Sequence, residues 1–362
     1  MPLLVIAAGG TGGHMFPAQA LAEEMLSRGW TVRLATDARG ARYAGGFSGA
    51  VERQVLKAGS FAQGGLIGKL TTPFRIGAGV LSASAAMRKD KPACVAGFGG
   101  YPALPTMAAA VASNTPFLIH EQNGVLGRVN KLFARKATLV ALGIKGADVP
   151  GGKRVEYVGN PVRGAIREKA GAAFEMRGGG PLNVLVMGGS QGARIMSERI
   201  PEAIGALPED IRARLTITQQ ARPEDEQAVK NAYEALGINA DIRSFIDNVP
   251  ELMEKAHLVI SRAGASSVAE IGAVGRPSIL IPYAAAMDDH QTANAAALKS
   301  AGAAYVLSET EATAAALAAK IETVLADPEG AHHMAQAAKS QGRPDAAKHL
   351  ADLVEEIAKT KG

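Results

Sequence analysis

Two glycine clusters and one run of four polar residues carry most of the chemistry this sequence offers. Gly9-Gly10-Thr11-Gly12-Gly13-His14 follows the apolar run Leu4-Val5-Ile6, and Gly188-Gly189-Ser190-Gln191-Gly192-Ala193 follows Leu182–Met187. A strand that ends in glycines and opens a helix suits an anion. Glycine lets the main chain approach it, and the helix N-terminus offers unpaired N–H groups and a favourable dipole. For either cluster alone, a tight strand-to-helix turn explains the glycines equally well; two at matching places favour phosphate binding. Neither completes the dinucleotide pattern, since Met15 stands where a third glycine belongs after Gly10 and Gln191 where a second belongs after Gly189, although Asp37 ends a strand where an NAD-binding acid would sit. No Gly-Lys-Ser/Thr follows either cluster, so a Walker loop is excluded.

His14 directly follows the first cluster, where a helix dipole favours the neutral imidazole that a general base needs; a histidine bonded to its own turn is the alternative. His120-Glu121-Gln122-Asn123 follows Phe117-Leu118-Ile119 and is more polar than the turn Asn123-Gly124 requires. Gly97–Tyr101 is a further glycine-rich strand end, with Tyr101 able to hydrogen-bond a sugar. Later in the chain, Glu270 has capping-box spacing from Ser267 but could also accept two ribose hydroxyls. The run Asp288–Asn294 is polar beyond need, yet its spacing dictates no metal site, and no structural metal is expected.

The elements that must position these residues alternate. Strands are expected at Leu3–Ala8, Thr31–Thr36, Ala93–Phe98, Pro116–His120 and Thr138–Leu142, then at Leu182–Met187, Arg214–Thr218, Asp241–Phe245, Leu258–Ser261 and Ser278–Pro282. Alanine-rich helical stretches separate them, which predicts parallel sheets covered on both faces. A chain of 362 residues exceeds one ordinary core. The polar, glycine-rich stretch Gly159–Gly180 is the expected seam between two such units, and the amphipathic Ala346–Lys359 could return to the first.

Composition narrows the function classes. Hydrophobic residues at 47% and charged ones at 20% exclude a disordered chain, and 39 basic against 34 acidic residues give a net charge of +5. That suits polyanionic ligands or an anionic membrane. No basic block and only 4% aromatics argue against nucleic acid. The single Cys94 allows no internal disulfide and points to a reducing compartment. The opening run lacks a basic n-region, so no signal peptide is expected, and no stretch approaches the ~20 apolar residues of a span. A cytoplasmic, non-spanning protein is the expectation. Leu66, Ile67, Leu70 and Phe74, interspersed with Lys69 and Arg75, read as a core helix with solvated cations or as a patch for an anionic bilayer. Pro73 and neighbouring glycines argue against a regular helix there.

Taken in order, the two glycine clusters, His120-Glu121-Gln122-Asn123, Gly159-Asn160-Pro161-Val162-Arg163, Ser261-Arg262-Ala263-Gly264-Ala265 and Asp289-His290-Gln291 resemble the MurG family of peptidoglycan glycosyltransferases over essentially the whole chain. The resemblance implies a GT-B fold, α/β, with two Rossmann-like domains facing each other over a cleft. It implies an acceptor domain of residues 1–160 with 341–362 and a donor domain of 161–340. The family moves N-acetylglucosamine (GlcNAc) from UDP-GlcNAc to the C4 hydroxyl of the muramoyl sugar of lipid I, giving lipid II with inversion. For the donor, it implies contacts from Arg163, Ser190, Gln191, Gly192, Ile246, Ala265, Glu270, His290 and Gln291, with Thr11, Gly12, Gly13 and Asn123 touching the transferred sugar. For the acceptor, it implies Gly9, Gly10, His14, Tyr101, Glu121 and Asn123. His14 and Glu121 are the candidates for general base, with His14 favoured. No cofactor is implied. The implied setting is the cytoplasmic face of the inner membrane, with cell-wall or division proteins as possible partners. A related lipid glycosyltransferase, a UDP-GlcNAc epimerase and a non-catalytic nucleotide-sugar binder are the competing readings.

Overall fold

The computed structural model describes residues 1–56, 65–189, 192–286 and 289–359, excepting the side chains at 42, 43 and 65–73. The chain divides into two compact units, residues 1–164 with 345–362, and residues 165–344.

Among the described residues, the first unit holds a parallel sheet of β1 (Leu3–Ala7), β2 (Thr31–Thr36), β3 (Glu52–Val55), β4 (Cys94–Gly97), β5 (Phe117–Glu121), β6 (Leu139–Leu142) and β7 (Val155–Tyr157), ordered 3-2-1-4-5-6-7. The period of two along each strand sorts its core. Leu4 and Ile6 face one layer with Leu34, Leu118 and the helix Gly12–Ser27, while Val5 and Ala7 face the other with Ile119, Met107 and Met87. Each fully buried Leu or Ile contributes roughly 1.5–3 kcal/mol.

The C-terminal helix Ala346–Lys359 belongs to this unit, with Leu350, Val354 and Ile357 in the first layer. Charge fixes its register: Arg28 pairs with Asp352 and Glu355, and the Trp30 indole N–H donates to Glu355. The helix Gly65–Asp90 runs unbroken through Pro73, against the expectation of an irregular segment. Proline removes one helical hydrogen bond, but Ala83 and Met87 anchor the C-terminal half of the helix in the core.

The second unit contains β8 (Leu182–Met187), β9 (Leu215–Gln220), β10 (Asn239–Arg243), β11 (Leu258–Ser261), β12 (Ser278–Leu280) and β13 (Ala304–Val306), all parallel and ordered 10-9-8-11-12-13. Counted from its own first strand, the first six strands of each unit read 3-2-1-4-5-6, the Rossmann order, and β7 extends the first sheet by one. The order reverses between β1 and β4, and between β8 and β11, where loops at the carboxyl ends of the strands form a ligand crevice. The segment entering the second unit is held by a buried Arg276, whose guanidinium donates to the carbonyls of Ala172, Ala173, Met253 and Gly275. Burial lowers its pKa to about 10, so it stays charged at neutral pH. The short β3, β7 and β13 have no counterpart in the sequence reading; most of their residues are exposed or only partly buried.

Candidate functional site

At the first reversal point, the loops after β1, β4 and β5 gather the residues singled out from sequence. After β1, Gly9 and Gly10 lead into the helix Gly12–Ser27, with Gly10 at φ +96°. A Cβ at Gly9 would stand 2.7 Å from Pro102 Cβ and 2.8 Å from Thr36 Oγ1, so only glycine fits. A Cβ at Gly100 would stand 2.7 Å from the Gly9 carbonyl oxygen, which shows how closely the β4 loop, with Gly100 at φ +76°, lies against the β1 turn. Thr11 is the N-cap residue but makes no side-chain cap, and the first helical turn carries no acidic residue. Instead the Thr11 hydroxyl meets His14 Nδ1 at 3.2 Å, which orients a half-buried imidazole in the first turn. Tyr101 follows Gly100 in a 3-10 turn, half-buried against the second layer.

The polar run on β5 behaves differently from its appearance. Glu121 is 2% exposed, and its two carboxylate oxygens accept four N–H donors: the Asn123 backbone at 3.1 Å, Asn123 Nδ2 at 3.2 Å, the Gly127 backbone at 2.9 Å and Asn130 Nδ2 at 2.7 Å. That carboxylate orders the loop and aims Asn123. His120 is wholly buried; its Nε2–H donates to the Gly159 carbonyl at 3.1 Å, and its ring packs beside Phe98. Desolvation lowers its pKa to about 4, so it is neutral. Gln122 Nε2 donates to the Phe98 carbonyl at 3.0 Å, tying the β5 loop to the β4 loop. The hydrogen bonds of His120, Glu121 and Gln122 thus run to the β4 and β5 loops, the helix after β5 and Gly159. Asn130, a buried amide beside Val129 and Phe133 on the inner face of the helix Arg128–Phe133, is the partner the sequence reading missed; its only signal was a polar residue on a buried face.

Arg163 requires a correction. It falls in the first unit and not with residues 161–340: its guanidinium carbon lies 4.6 Å from the Phe16 ring centre, and the next residue's N–H reaches Glu23 at 3.3 Å. This cation–π contact places a positive charge beside the helix that carries His14.

At the second reversal point, Gly188 and Gly189 follow β8, and the helix Arg194–Gly205 starts without a side-chain cap or an acid in its first turn. Gly189 and Gly192 both have positive φ, at +81° and +70°. Ser190 and Gln191 lie outside the described residues. After β11, the helix Ala265–Val274 has Gly264 as its N-cap. Ser267 is thus inside the helix, which excludes the capping-box account of Glu270, a buried carboxylate one turn further on. Buried Ile246 follows β10, and buried Ala265 opens the helix after β11.

Past β12, Asp289 stands at the N-cap position of the helix His290–Ser300 with a left-handed backbone at φ +48° and no side-chain cap, and Gln291 Oε1 accepts the Tyr283 N–H at 3.0 Å. Arg262, which sequence reading quoted but assigned no task, donates to the carbonyls of Ile281 and Pro282 and pairs with Glu309, so it binds the loops after β11, β12 and β13 together. Among the described residues, no three His, Cys, Asp or Glu converge as a metal site needs.

Of the apolar patch on Gly65–Asp90, the side chains of Leu66, Ile67, Lys69 and Leu70 lie outside the described ones. Phe74 is 80% exposed and Leu81, seven residues on and so on the same face, is 71% exposed; Arg75, Arg88 and Lys89 are exposed too. No helix among the described residues is long and apolar enough to cross a membrane.

The two halves match different parts of one family: the glycosyltransferase family 28 N-terminal domain over residues 4–142 and the family 28 C-terminal domain over residues 183–350. The UDP-N-acetylglucosamine--N-acetylmuramyl-(pentapeptide) pyrophosphoryl-undecaprenol N-acetylglucosamine transferase of Paramagnetospirillum magneticum is 46% identical across 98% of this chain and 96% of its own length. The protein of the same name from Rhodospirillum centenum is 46% identical across 98% of this chain and 94% of its own. The crystal structure of Acinetobacter baumannii MurG, 30% identical, superposes with a TM-score of 0.79 over 98% of this chain and 100% of that one. Two parallel-sheet, Rossmann-like domains of the GT-B type are thereby borne out. The chain belongs to glycosyltransferase family 28 and, within it, to the MurG family of N-acetylglucosamine transferases.

Proposed function

We propose that this protein transfers GlcNAc from UDP-GlcNAc to the C4 hydroxyl of the muramoyl sugar of lipid I, forming lipid II for peptidoglycan. The observation that carries this is the 46% identity, over nearly all of both chains, to a transferase named for that reaction. The acceptor is assigned to the first unit, at Gly9, Gly10, His14, Tyr101 and Asn123. The donor is assigned to the second, at Gly192, Ile246, Ala265, Glu270, His290 and Gln291, together with Ser190 and Gln191. Thr11, Gly12, Gly13 and Asn123 are assigned to the transferred sugar, and Arg163 to the donor phosphates.

In this mechanism Nδ1–H of His14 donates to Thr11, and Nε2 takes the proton of the C4 hydroxyl. The hydroxyl oxygen attacks the anomeric carbon, the bond from that carbon to the diphosphate breaks, and one displacement inverts the configuration. Glu121 is the weaker candidate for base because four N–H donors already occupy its oxygens. The departing UDP gains charge that the N–H groups of the second glycine turn, and a cation such as Arg163, would stabilise. On this account no metal is needed, and turnover should survive EDTA.

The exposed Phe74 and Leu81 with Arg75, Arg88 and Lys89 would meet the anionic cytoplasmic face of the membrane that carries the acceptor. UDP release from UDP-GlcNAc, with and without a short-chain lipid I analogue, tests the reaction. Release that depends on the analogue supports it. Release without acceptor would point to a hydrolase or epimerase, and no release to a binding protein.

A further inference from the structure

Among the described residues, the side chain of Gln220 ties the second glycine turn to the neighbouring strand and loop. The turn is tight: a Cβ at Gly188 would stand 2.5 Å from the Ala193 nitrogen, and the Gly192 N–H returns to the Gly189 carbonyl at 3.1 Å. Gln220 ends β9, between β8 and β10, and is 9% exposed. Its Oε1 accepts the Gly188 N–H at 3.1 Å, and its Nε2 donates to the Ser244 carbonyl at 3.3 Å, two residues before Ile246. The strand register sets Arg243 beside Gln220, so the loop after β10 leaves alongside it. One carboxamide thus joins the turn assigned to the diphosphate to the loop assigned to the base. A carboxamide presents an acceptor at one corner and a donor at the other, which a carboxylate or an alkyl chain of the same length does not.

We propose that Gln220 is a positioning residue that sets the spacing between diphosphate turn and base loop, and through it the preference for a uridine over a purine diphosphate. The inference rests on the assignment of the nucleotide donor to the second unit. With the spacing fixed, a base read by main-chain atoms reaches them only if its ring has the right size while the diphosphate sits in the turn. With the spacing loosened, that selection fades.

The test is calorimetric titration of the full chain with UDP and with ADP, for the wild type, Gln220→Met and Gln220→Glu, with a melting curve for each. Gln220→Met removes both hydrogen bonds of the carboxamide, and UDP affinity is expected to fall about tenfold with ADP affinity unchanged. Donor KM should rise in parallel, with kcat at saturating donor within about twofold of wild type. Gln220→Glu keeps the acceptor for Gly188 but sets an acceptor against the Ser244 carbonyl. Its charge weakens both diphosphates alike, so the UDP-to-ADP ratio is the reading, and that ratio should also fall; this variant decides the matter if the methionine variant does not fold. A folded variant that keeps the wild-type ratio overturns the positioning role. Wild-type protein that binds no UDP overturns the donor assignment, and this proposal with it.

Discussion

The two glycine turns begin alike and end differently. Each follows the first strand of a Rossmann unit, and each has its second glycine at positive φ, Gly10 at +96° and Gly189 at +81°. In the first unit the helix begins at once, at Gly12, and carries His14 in its opening turn with Nδ1 against Thr11. In the second the chain continues through Gly192 and Ala193 before the helix starts at Arg194, and Gln220 braces the turn from β9. The early helix places a side chain, His14, in its first turn, whereas the delayed one ties its described N–H groups inward, Gly188 to Gln220 and Gly192 to the Gly189 carbonyl. On the proposed mechanism, one local pattern would serve base chemistry in one unit and anion binding in the other.

Removal of the imidazole should have the largest effect. His14→Ala is expected to lower turnover at saturating substrates by roughly 10²–10⁴-fold, the usual worth of a general base, while UDP titrates as in wild type. Near-wild-type turnover would end the assignment of chemistry to the first turn. Glu121→Gln provides the counterpart: it should lower the melting temperature and leave the acidic limb of the pH–rate profile in place.

Acid should act on the scaffold behind these turns. The His120 pKa falls from 6.5 to about 4 in the folded protein through burial. Above pH 6.5 the ring is neutral in both states and stability is level. Between 6.5 and about 4 the unfolded chain takes up a proton that the folded chain refuses, so stability falls as pH falls, by about 3 kcal/mol in total. His257 in the second unit, which accepts the Asn183 N–H at Nδ1, is shifted the same way by burial. Chemical denaturation at pH 7.5 and pH 4.5 measures the loss; equal stability at the two values would remove the buried neutral His120.

Backbone geometry gives a finer contrast. Gly188→Ala forces a Cβ against the Ala193 nitrogen and should weaken UDP binding at least about tenfold. Gly10→Ala meets no atom within 4 Å and suffers only the left-handed backbone, roughly 1–2 kcal/mol. It should spare UDP binding and raise the acceptor KM. Similar UDP affinities in the two variants would erase the division of labour. The smallest effect is expected at the membrane face, where replacing Phe74 and Leu81 by serine should reduce flotation with anionic vesicles several-fold and leave UDP binding intact. Unchanged flotation would dissociate that face from lipid.

Sequence patterns carried much of the fold because buried parallel strands are continuous apolar runs and their ends are marked by glycine. Thr31–Thr36, Leu182–Met187 and Leu258–Ser261 match residue for residue. Edge strands such as Glu52–Val55 escaped because half-exposed, charged residues leave no such run. The residue types at the site were legible, but their partners were not. Nothing local distinguishes the carboxylate of Glu121, saturated by Asn123, Gly127 and Asn130, from a reactive one.

What the sequence by itself determined was therefore the repeated unit, the place of each glycine turn and the family, since all three depend on residues close together in the chain. Tertiary structure decided that Arg163 packs on Phe16, that Gln220 spans two loops, and that the last helix docks against Leu21 and Met25 of the first unit. Those outcomes depend on contacts between segments far apart in the chain, whose energies no local pattern encodes.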